Sequence, residues 1–241
     1  MNDKIGVIIP CGGTGKRLGL PYPKELLGIE SNKVLIDYCF DLLVGYEDKV
    51  QVIVIINSEK LMTVRYLEKY RDKIDIVFCY QKSYEQELIG AIESARNLFL
   101  SKNIVLLPDT IIKLKNSQNI IEETIKLLDK NSLVFWVKKE KDFDILAQEG
   151  SLKIDYKLGQ LIVEDYLDKP MKEIKELNSY WAAFAFNRES SHKCLYALNK
   201  IIQKDRNIKF KNSEFANSPG IEVVDSVDMG TWKSIYNYLR R

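Results

Sequence analysis

The fold is set by residues 5–24, which read IGVIIPCGGTGKRLGLPYPK. Residues 5–9 are largely apolar, which is typical of a strand buried on both faces of a parallel sheet. The glycine-rich loop that follows predicts a ligand-binding edge, because ligands of open α/β sheets sit beyond the carboxyl ends of the strands. We therefore expect an α/β protein whose first strand leads directly into its functional site.

The β-rich pattern returns along the chain, in alternation with helical patterns. Further strands are predicted at residues 50–56, 74–80, 104–107 and 133–137. Helices are predicted at residues 34–43, from a cap at Ser58 to about 70, from a cap at Ser83 to about 98, and at 120–128. This alternation is typical of a parallel sheet with helices on both faces. The predicted fold class is α/β, with a Rossmann-like, mixed but mainly parallel sheet flanked by helices.

The pattern changes after about residue 138. A hairpin is predicted from strands at residues 152–156 and 161–165, followed by a strand at 180–186, a helix at 189–201 and a last strand at 221–224. The closing helix carries Trp232, Ile235, Tyr236 and Leu239 at i, i+3, i+4 and i+7. This spacing predicts that these four side chains dock on the body of the protein. We expect one domain, residues 1–241, that includes a small β-rich subdomain.

Composition narrows the classes of function. The net charge of +2, from 36 basic and 34 acidic residues, gives little overall field to attract nucleic acid or an anionic membrane, so neither is expected as a partner. One histidine, His192, and the lack of a G-x-S-x-G motif speak against His-rich metal sites and serine hydrolases. Four cysteines without a C-x-x-C pair indicate free thiols in a reducing, cytoplasmic setting. The sequence leaves a homo-oligomer open.

The loop after the first strand has the chemistry of a phosphate site. Gly12, Gly13 and Gly15 permit backbone angles that bring amide N–H groups close to a ligand, and such amides suit phosphate oxygens. Arg17 adds a planar fork of donors and Lys24 a point charge. A Walker A loop and a dinucleotide-binding fingerprint both fail here, since the required residues are absent. The alternative interpretation is a glycine-rich turn with solvated cations.

The loop resembles the signature of the sugar-1-phosphate nucleotidyltransferases, which is G-x-G-x-R-[LM], a spacer and then P-K-x-L. Here it reads Gly13-Thr-Gly15-Lys-Arg17-Leu18 and then Pro23-Lys24-Glu25-Leu26. The resemblance implies the nucleotide-diphospho-sugar transferase type of fold. It implies that residues 1–137 bind the nucleotide and that 138–241 form the sugar-binding part with the closing helix. It also implies that Arg17 grips the triphosphate and Lys24 holds phosphates where transfer occurs. The nucleotide loop would comprise Cys11, Gly12, Gly13, Thr14, Gly15 and Lys16.

Acidic residues are expected to hold a metal ion. Asp109 follows the fourth strand at the ligand edge, where a carboxylate suits Mg²⁺ or simply forms a turn. The resemblance assigns Asp109 to the metal and to the nucleotide, and Asp228 in Asp-Met-Gly-Thr to a second metal ligand, with Asp225 as an alternative. The other interpretation of this later segment is a helix capped by Thr231. We expect Mg²⁺ as the cofactor, and Arg17, Lys24 and Asp109 as catalytic residues.

Base and sugar contacts are implied by the resemblance. Gln81, at the end of the third strand, would contact the base, and Gly90 stands near the position of a family glycine, although the intervening residues differ. Asp168 and Lys169, followed by proline, resemble the E-K-P element that meets the sugar phosphate together with Lys24. The alternatives for Gln81 are a helix start or a polar side chain that faces solvent. The alternative for Asp168 and Lys169 is a surface turn.

The predicted function is the conversion of a nucleoside triphosphate and a sugar 1-phosphate to a nucleotide-diphospho-sugar and pyrophosphate, as in nucleotide-sugar and polysaccharide biosynthesis. The resemblance favours UTP or dTTP. The step from Arg17 to Lys24 is only seven residues, which is similar to cytidylyltransferases and keeps open an acceptor such as a sugar, polyol, choline or phosphonate phosphate. A non-catalytic nucleotide-sensing module is the third hypothesis.

Overall fold

The computed structural model describes residues 4–82, 87–116, 118–205 and 207–240. The strands are β1 (Ile5–Pro10), β2 (Gly28–Glu30), β3 (Lys33–Val34), β4 (Val50–Ile56), β5 (Asp75–Tyr80), β6 (Lys102–Val105), β7 (Thr110–Lys113), β8 (Leu133–Lys139), β9 (Gly150–Lys157), β10 (Gln160–Asp168), β11 (Ser179–Asn187), β12 (Ser218–Glu222) and β13 (Asp225–Asp228). The helices are α1 (Asp37–Asp41), α2 (Leu61–Leu67), α3 (Glu87–Ser94), α4 (Ile120–Leu128), α5 (Phe143–Leu146), α6 (Ser191–Ile202) and α7 (Trp232–Leu239). Residues 83–86, where the sequence predicts a helix start, lie outside the described residues.

The chain forms two compact units, residues 1–113 with 225–241 and residues 114–224. In the first unit, four parallel strands follow the order β5-β4-β1-β6. Val7 of β1 lies between Val52 of β4 and Ile104 of β6, and all three side chains are fully buried. Burial on both faces explains the continuous apolar runs, since each such side chain contributes about 1.5–3 kcal/mol when it leaves water.

A short antiparallel ribbon completes the first unit. β7 pairs with β13, which places Thr110 opposite Asp228 and Lys113 opposite Asp225. The ribbon joins the segment after β6 to the segment before α7, although the two are far apart in sequence. The sequence does not reveal this ribbon, because each strand is short and mostly half-exposed.

The second unit contains five strands with mostly antiparallel pairing. β8 pairs antiparallel with β11 and parallel with β12, while β10 lies between β12 and β9. Helix α4 packs on β8, β11 and β12, and α6 packs on β10 and β11. The buried Trp136 of β8 donates its indole N–H to the Thr124 hydroxyl of α4 at 2.8 Å, which ties the helix to the sheet.

The predicted fold class is confirmed as α/β with a mixed sheet, and the parallel pairings are concentrated in the first unit. Two helix predictions were wrong at their starts. The predicted 34–43 helix is reduced to α1, because Val34 belongs to a strand. The helix predicted from a cap at Ser58 begins at Leu61, after Lys60. The division of function at residues 137 and 138 stays a prediction, since compactness and not ligand contact defines the two units.

The prediction for the closing helix was right for two of the four docking residues. Ile235 is buried in the apolar cluster of the first unit, and the indole N–H of the half-exposed Trp232 donates to the Leu18 carbonyl at 3.0 Å. Tyr236 and Leu239 are each more than half exposed, so the prediction was wrong for them. Within the described part of the chain, no helix is long and apolar enough to cross a bilayer.

Candidate active site

The glycine loop leaves the carboxyl end of β1 in a fixed conformation. The Cys11 N–H donates to the Ile55 carbonyl at 2.7 Å, and the Leu18 N–H donates to the Gly15 carbonyl at 3.0 Å. Gly15 has φ of 65°, a left-handed conformation that favours glycine. Cys11 is buried, and burial, followed by the nearby Glu25 carboxylate, raises the pKa of its thiol well above the ordinary value. Its side chain is therefore a neutral packing group, while Thr14 and Lys16 are exposed in the loop.

Lys24 lies across this loop. It begins a 3-10 turn, Lys24–Leu26, directly after Pro23. Its stem packs on the glycines, since a Cβ at Gly15 would lie 3.2 Å from the Lys24 Cβ and one at Gly13 would lie 3.8 Å from the Lys24 Cε. The Lys24 ammonium pairs with the Asp109 carboxylate. Burial alone lowers the pKa of Lys24, but the Asp109 carboxylate outweighs it and raises that pKa above its ordinary value. The turn therefore presents a charged ammonium at the site.

The β7–β13 ribbon brings Asp109 and Asp228 together. Asp109 immediately precedes β7, and Asp228 ends β13 opposite Thr110. The Met229 N–H donates to the Asp109 carbonyl at 2.8 Å, and the Gly230 N–H donates to the Asp228 carboxylate at 2.7 Å. Burial, followed by repulsion from the Asp109 carboxylate, raises the pKa of Asp228. Two like charges are thus held close together in a partly buried site, an arrangement that a cation would relieve.

The donor set fits a magnesium ion. Mg²⁺ prefers hard oxygen ligands and is usually held by one or two carboxylates together with substrate phosphates and water. Asp109 and Asp228 supply two such carboxylates beside a loop suited to phosphate. Among the residues that the structure describes, no group of three or more His, Cys, Asp and Glu side chains forms an all-protein metal cage. Two carboxylates beside a loop suited to phosphate fit a metal ion that binds together with a polyphosphate.

Arg17, which follows the glycine loop, reaches the same cluster. Its Nη2 lies 2.7 Å from where a Cβ on Gly230 would be, and the Asp228 carboxylate lies 2.8 Å from the same point. The positive charge of Arg17 lowers the pKa of Asp228, against the larger effects of burial and of Asp109. The structure thus brings Arg17, Lys24, Asp109 and Asp228 together in the first unit.

Asp225 lies apart from this cluster. It begins β13 opposite Lys113, and its carboxylate accepts the Ser226 N–H at 3.0 Å. Asp225 and Asp228 are three residues apart on a strand, so they stand about 10 Å apart and on opposite faces. Asp228, and not Asp225, is therefore the carboxylate that lies beside Asp109.

Gln81 contacts the glycine loop, as its position after β5 suggests. Its N–H donates to the Ile56 carbonyl at 2.8 Å, which extends the β4–β5 pairing by one residue. Its side-chain oxygen lies 1.9 Å from where a Cβ on Gly12 would be. Gly90, by contrast, is buried within α3, and its carbonyl accepts the Ser94 hydroxyl at 2.9 Å. Gln81 thus joins the loop, while Gly90 is found in the body of a helix.

Asp168 and Lys169 belong to the second unit, at the end of β10. The Tyr166 hydroxyl donates to the Asp168 carboxylate at 3.3 Å. The Lys169 N–H donates to the Glu149 carbonyl at 2.9 Å, and Lys169 has φ of 43°, in the left-handed region. This backbone geometry turns the chain sharply and leaves the Lys169 side chain exposed.

Four residues that the sequence analysis gave no role contact the backbone or neighbours of the loop. The Asn57 amide donates to the Gly12 carbonyl at 2.8 Å. The Glu25 carboxylate accepts from the Lys60 ammonium at 3.0 Å and from the Thr63 hydroxyl at 2.7 Å. A lysine and a threonine near a helix start usually face solvent, so only the tertiary structure reveals these contacts.

Comparison with solved structures supports the fold. The structure is similar to a UDP-glucose pyrophosphorylase from Acinetobacter baumannii, with a TM-score of 0.74, 15% identity, and coverage of 98% of this chain and 92% of the other. A UDP-glucose pyrophosphorylase complexed with UDP-glucose gives a TM-score of 0.72 at 15% identity, covering 98% and 97%. A Bacillus anthracis protein assigned as a glucose-1-phosphate thymidylyltransferase, in complex with sucrose, gives 0.74 at 15%, covering 98% and 94%.

Sequence comparison identifies the family. Among curated proteins, no sequence matches this chain closely enough to count as a relative. The family model described as nucleotidyl transferase, however, matches residues 6–240, which is nearly the whole chain. The chain therefore belongs to the nucleotidyl transferase family, as the motifs of its first loop predicted.

Proposed function

We propose that the protein transfers a nucleotidyl group from a nucleoside triphosphate to a sugar 1-phosphate and releases pyrophosphate. The observation that carries this proposal is the convergence of two cations, Arg17 and Lys24, and two carboxylates, Asp109 and Asp228, beside one glycine loop. Such a cluster suits a polyphosphate accompanied by a divalent ion. The solved enzymes of this fold, named for UDP-glucose and glucose 1-phosphate, support the sugar phosphate as acceptor.

Each group has a proposed role in binding. The backbone of the loop from Cys11 to Lys16 holds the nucleotide, Arg17 grips the triphosphate, and Gln81 contacts the base. Lys24 holds the acceptor phosphate against the α-phosphate. Asp109 and Asp228 would hold Mg²⁺, which, when bound, polarises the α-phosphate and offsets the charge of the two reactants.

The reaction needs positioning more than acid–base chemistry. A sugar phosphate is mostly ionised at pH 7, since the second pKa of a phosphate monoester is near 6. Its oxygen therefore attacks the α-phosphorus without a general base, the bond from that phosphorus to the bridging oxygen breaks, and pyrophosphate leaves with the electron pair. Alignment by Lys24 and Arg17 supplies the in-line geometry on which such transfers depend.

Asp168 and Lys169 are proposed to bind the sugar phosphate. In this proposal residues 1–137 bind the nucleotide, and residues 138–241 form the sugar-binding part and the closing helix. UTP or dTTP is the favoured triphosphate. CTP, with a polyol, choline or phosphonate phosphate as acceptor, is the second candidate, because the step from Arg17 to Lys24 is only seven residues. A cytoplasmic location and a homo-oligomer stay predictions from the sequence.

Two measurements test the proposal. Melting temperatures are compared with UTP, dTTP, CTP, ATP and GTP in Mg²⁺, since a preferred ligand stabilises the protein by mass action. Pyrophosphate release is then measured with the preferred triphosphate and a panel of sugar phosphates, choline phosphate and polyol phosphates. We expect one pair to turn over. Triphosphate binding without pyrophosphate release from any pair would favour a nucleotide-sensing module instead.

A further inference from the structure

We propose that residues 57–63, which run from the end of β4 into the first turn of α2, are a positioning segment that fixes the distance between the glycine loop and Lys24. This 57–63 segment contacts the backbone of the loop at one end and the neighbour of Lys24 at the other. The proposal rests on the function proposed above and deepens it, because it assigns positioning residues that lie outside the signature motifs.

The first attachment is made by Asn57, at the end of β4. Its side chain is buried, and its amide nitrogen donates to the Gly12 carbonyl at 2.8 Å. Its amide oxygen accepts the Glu59 N–H at 2.9 Å, and its own carbonyl accepts the Lys60 N–H at 3.1 Å. With both ends of the amide engaged, the side chain has one orientation. Asn57 thus fixes the backbone of the glycine loop relative to the start of α2.

The second attachment is a buried ion pair. Glu25 is 0% exposed, and its two carboxylate oxygens accept from Lys60, 3% exposed, and Thr63, 0% exposed. A buried pair of this kind adds little stability compared with apolar side chains of similar size, because both charges leave water. Its geometry, however, is specific. It holds Glu25 in one place on α2, and Glu25 is the residue that follows Lys24.

Fixing Glu25 also fixes the turn that presents Lys24. The Ile36 N–H donates to the Glu25 carbonyl at 2.9 Å, and the Leu27 N–H donates to the Lys24 carbonyl at 3.0 Å. The side chain and the carbonyl of Glu25 are therefore both engaged, and the Lys24 stem has one path across Gly15 to Asp109. A displacement of about 1 Å at a reacting group can lower a rate about 10²-fold, so this rigidity matters for transfer.

The central test neutralises the ion pair with the double variant Glu25→Gln, Lys60→Met. Removing both charges together avoids leaving one buried charge unpaired. The matched control is Lys4→Met, Asp75→Asn, which neutralises a half-exposed pair of the same unit. The function-independent readout is acylation of the Lys24 amine by acetic anhydride, followed by peptide mass spectrometry, with the exposed Lys49 as internal standard. Kinetics are measured on the same samples.

The ion-pair variant and the Asn57 variant should have different effects in these measurements. In the double variant we expect faster acylation of Lys24, and a fall of about tenfold in kcat/KM for the phosphate acceptor, with the KM for the triphosphate unchanged. In Asn57→Ala we expect a higher KM for the triphosphate, with Lys24 acylation unchanged. The control variant should match the wild type in every measurement.

Two outcomes would overturn the proposal. One is a folded double variant whose Lys24 acylation and acceptor kinetics equal those of the wild type. If the double variant does not fold, Thr63→Val is used instead, because it removes one hydrogen bond to Glu25. Unchanged Lys24 acylation in Thr63→Val would also overturn the proposal. If the wild type releases pyrophosphate with no substrate pair, the proposed function fails, but Lys24 acylation still decides whether the 57–63 segment positions the lysine.

Discussion

Gly12 and Gln81 illustrate how closely the loop and its neighbours fit. The Gln81 oxygen lies 1.9 Å from where a Cβ on Gly12 would be, so an added methyl group must displace the Gln81 side chain. We predict that Gly12→Ala raises the KM for the triphosphate about tenfold and weakens discrimination between bases, because such contacts carry specificity. Gly28→Ala is the control, since nothing lies within 4 Å of its Cβ position. Equal base preference in Gly12→Ala and wild type would remove Gln81 from base recognition.

Arg17 is predicted to act in both binding and transfer. Arg17→Ala should raise the KM for the triphosphate and lower kcat, because the guanidinium beside Asp228 supplies bidentate donors that charge alone cannot replace. Arg17→Lys should recover only part of the loss. Steady-state kinetics check this, with Arg71→Ala as control because that side chain is largely exposed. Unchanged kinetics in Arg17→Ala would refute its role at the triphosphate.

At the level of elements, the contact between α4 and β8 can be tested through one hydrogen bond. Trp136 and Thr124 are both fully buried, and the indole N–H donates to the Thr124 hydroxyl. We predict that Thr124→Val lowers the free energy of unfolding by about 1–3 kcal/mol, the cost of leaving a buried donor unpaired. Urea unfolding measures this, and Thr124→Ser should stay near the wild type because it keeps the hydroxyl. A stable Thr124→Val would mean that the indole has another partner.

Some strands and helices could be predicted from the sequence, and others could not. β4 and α4 were predicted to the residue, because a fully buried strand and an amphipathic helix each leave a clear apolar pattern. β7 and β13 were missed because each is short and mostly half-exposed, with no continuous apolar run, and yet they bring Asp109 and Asp228 together. The motif residues could be found in order along the chain, whereas Asn57, Lys60 and Thr63 could not. Their role depends on which residues the fold places opposite them.

At the level of the whole molecule, Asp37 should shape stability in acid. Burial alone raises the pKa of this carboxyl, but hydrogen bonds from Tyr66, Lys69, the Val34 N–H and Tyr70 outweigh it and hold the pKa below its ordinary value of 3.8. A carboxyl whose pKa is lower in the folded state stabilises the protein above the unfolded pKa of about 4, and this stability is lost as pH falls through the folded pKa.

Thermal unfolding between pH 6 and pH 3 measures this effect. We predict that Asp37→Asn melts below the wild type at pH 6 and that the gap narrows as pH falls below about 4, because the Asp37 carboxyl of the unfolded wild type takes up a proton before that of the folded state. Asp72→Asn, at a side chain that is 94% exposed, serves as control and should follow the wild-type curve. A constant gap between Asp37→Asn and wild type across this range would show that the Asp37 charge contributes nothing in acid.

The proposed activity requires a reaction centre that contains both Asp109 and Asp228. The most direct test is the initial rate of pyrophosphate release for Asp109→Asn, Asp228→Asn and Asp225→Asn at saturating substrates and Mg²⁺. We predict that the first two variants lose about 10²-fold or more in kcat, the scale of removing one electrostatic stabiliser, and that Asp225→Asn keeps the wild-type rate. Wild-type turnover in Asp109→Asn, or a loss in Asp225→Asn with none in Asp228→Asn, would contradict the account.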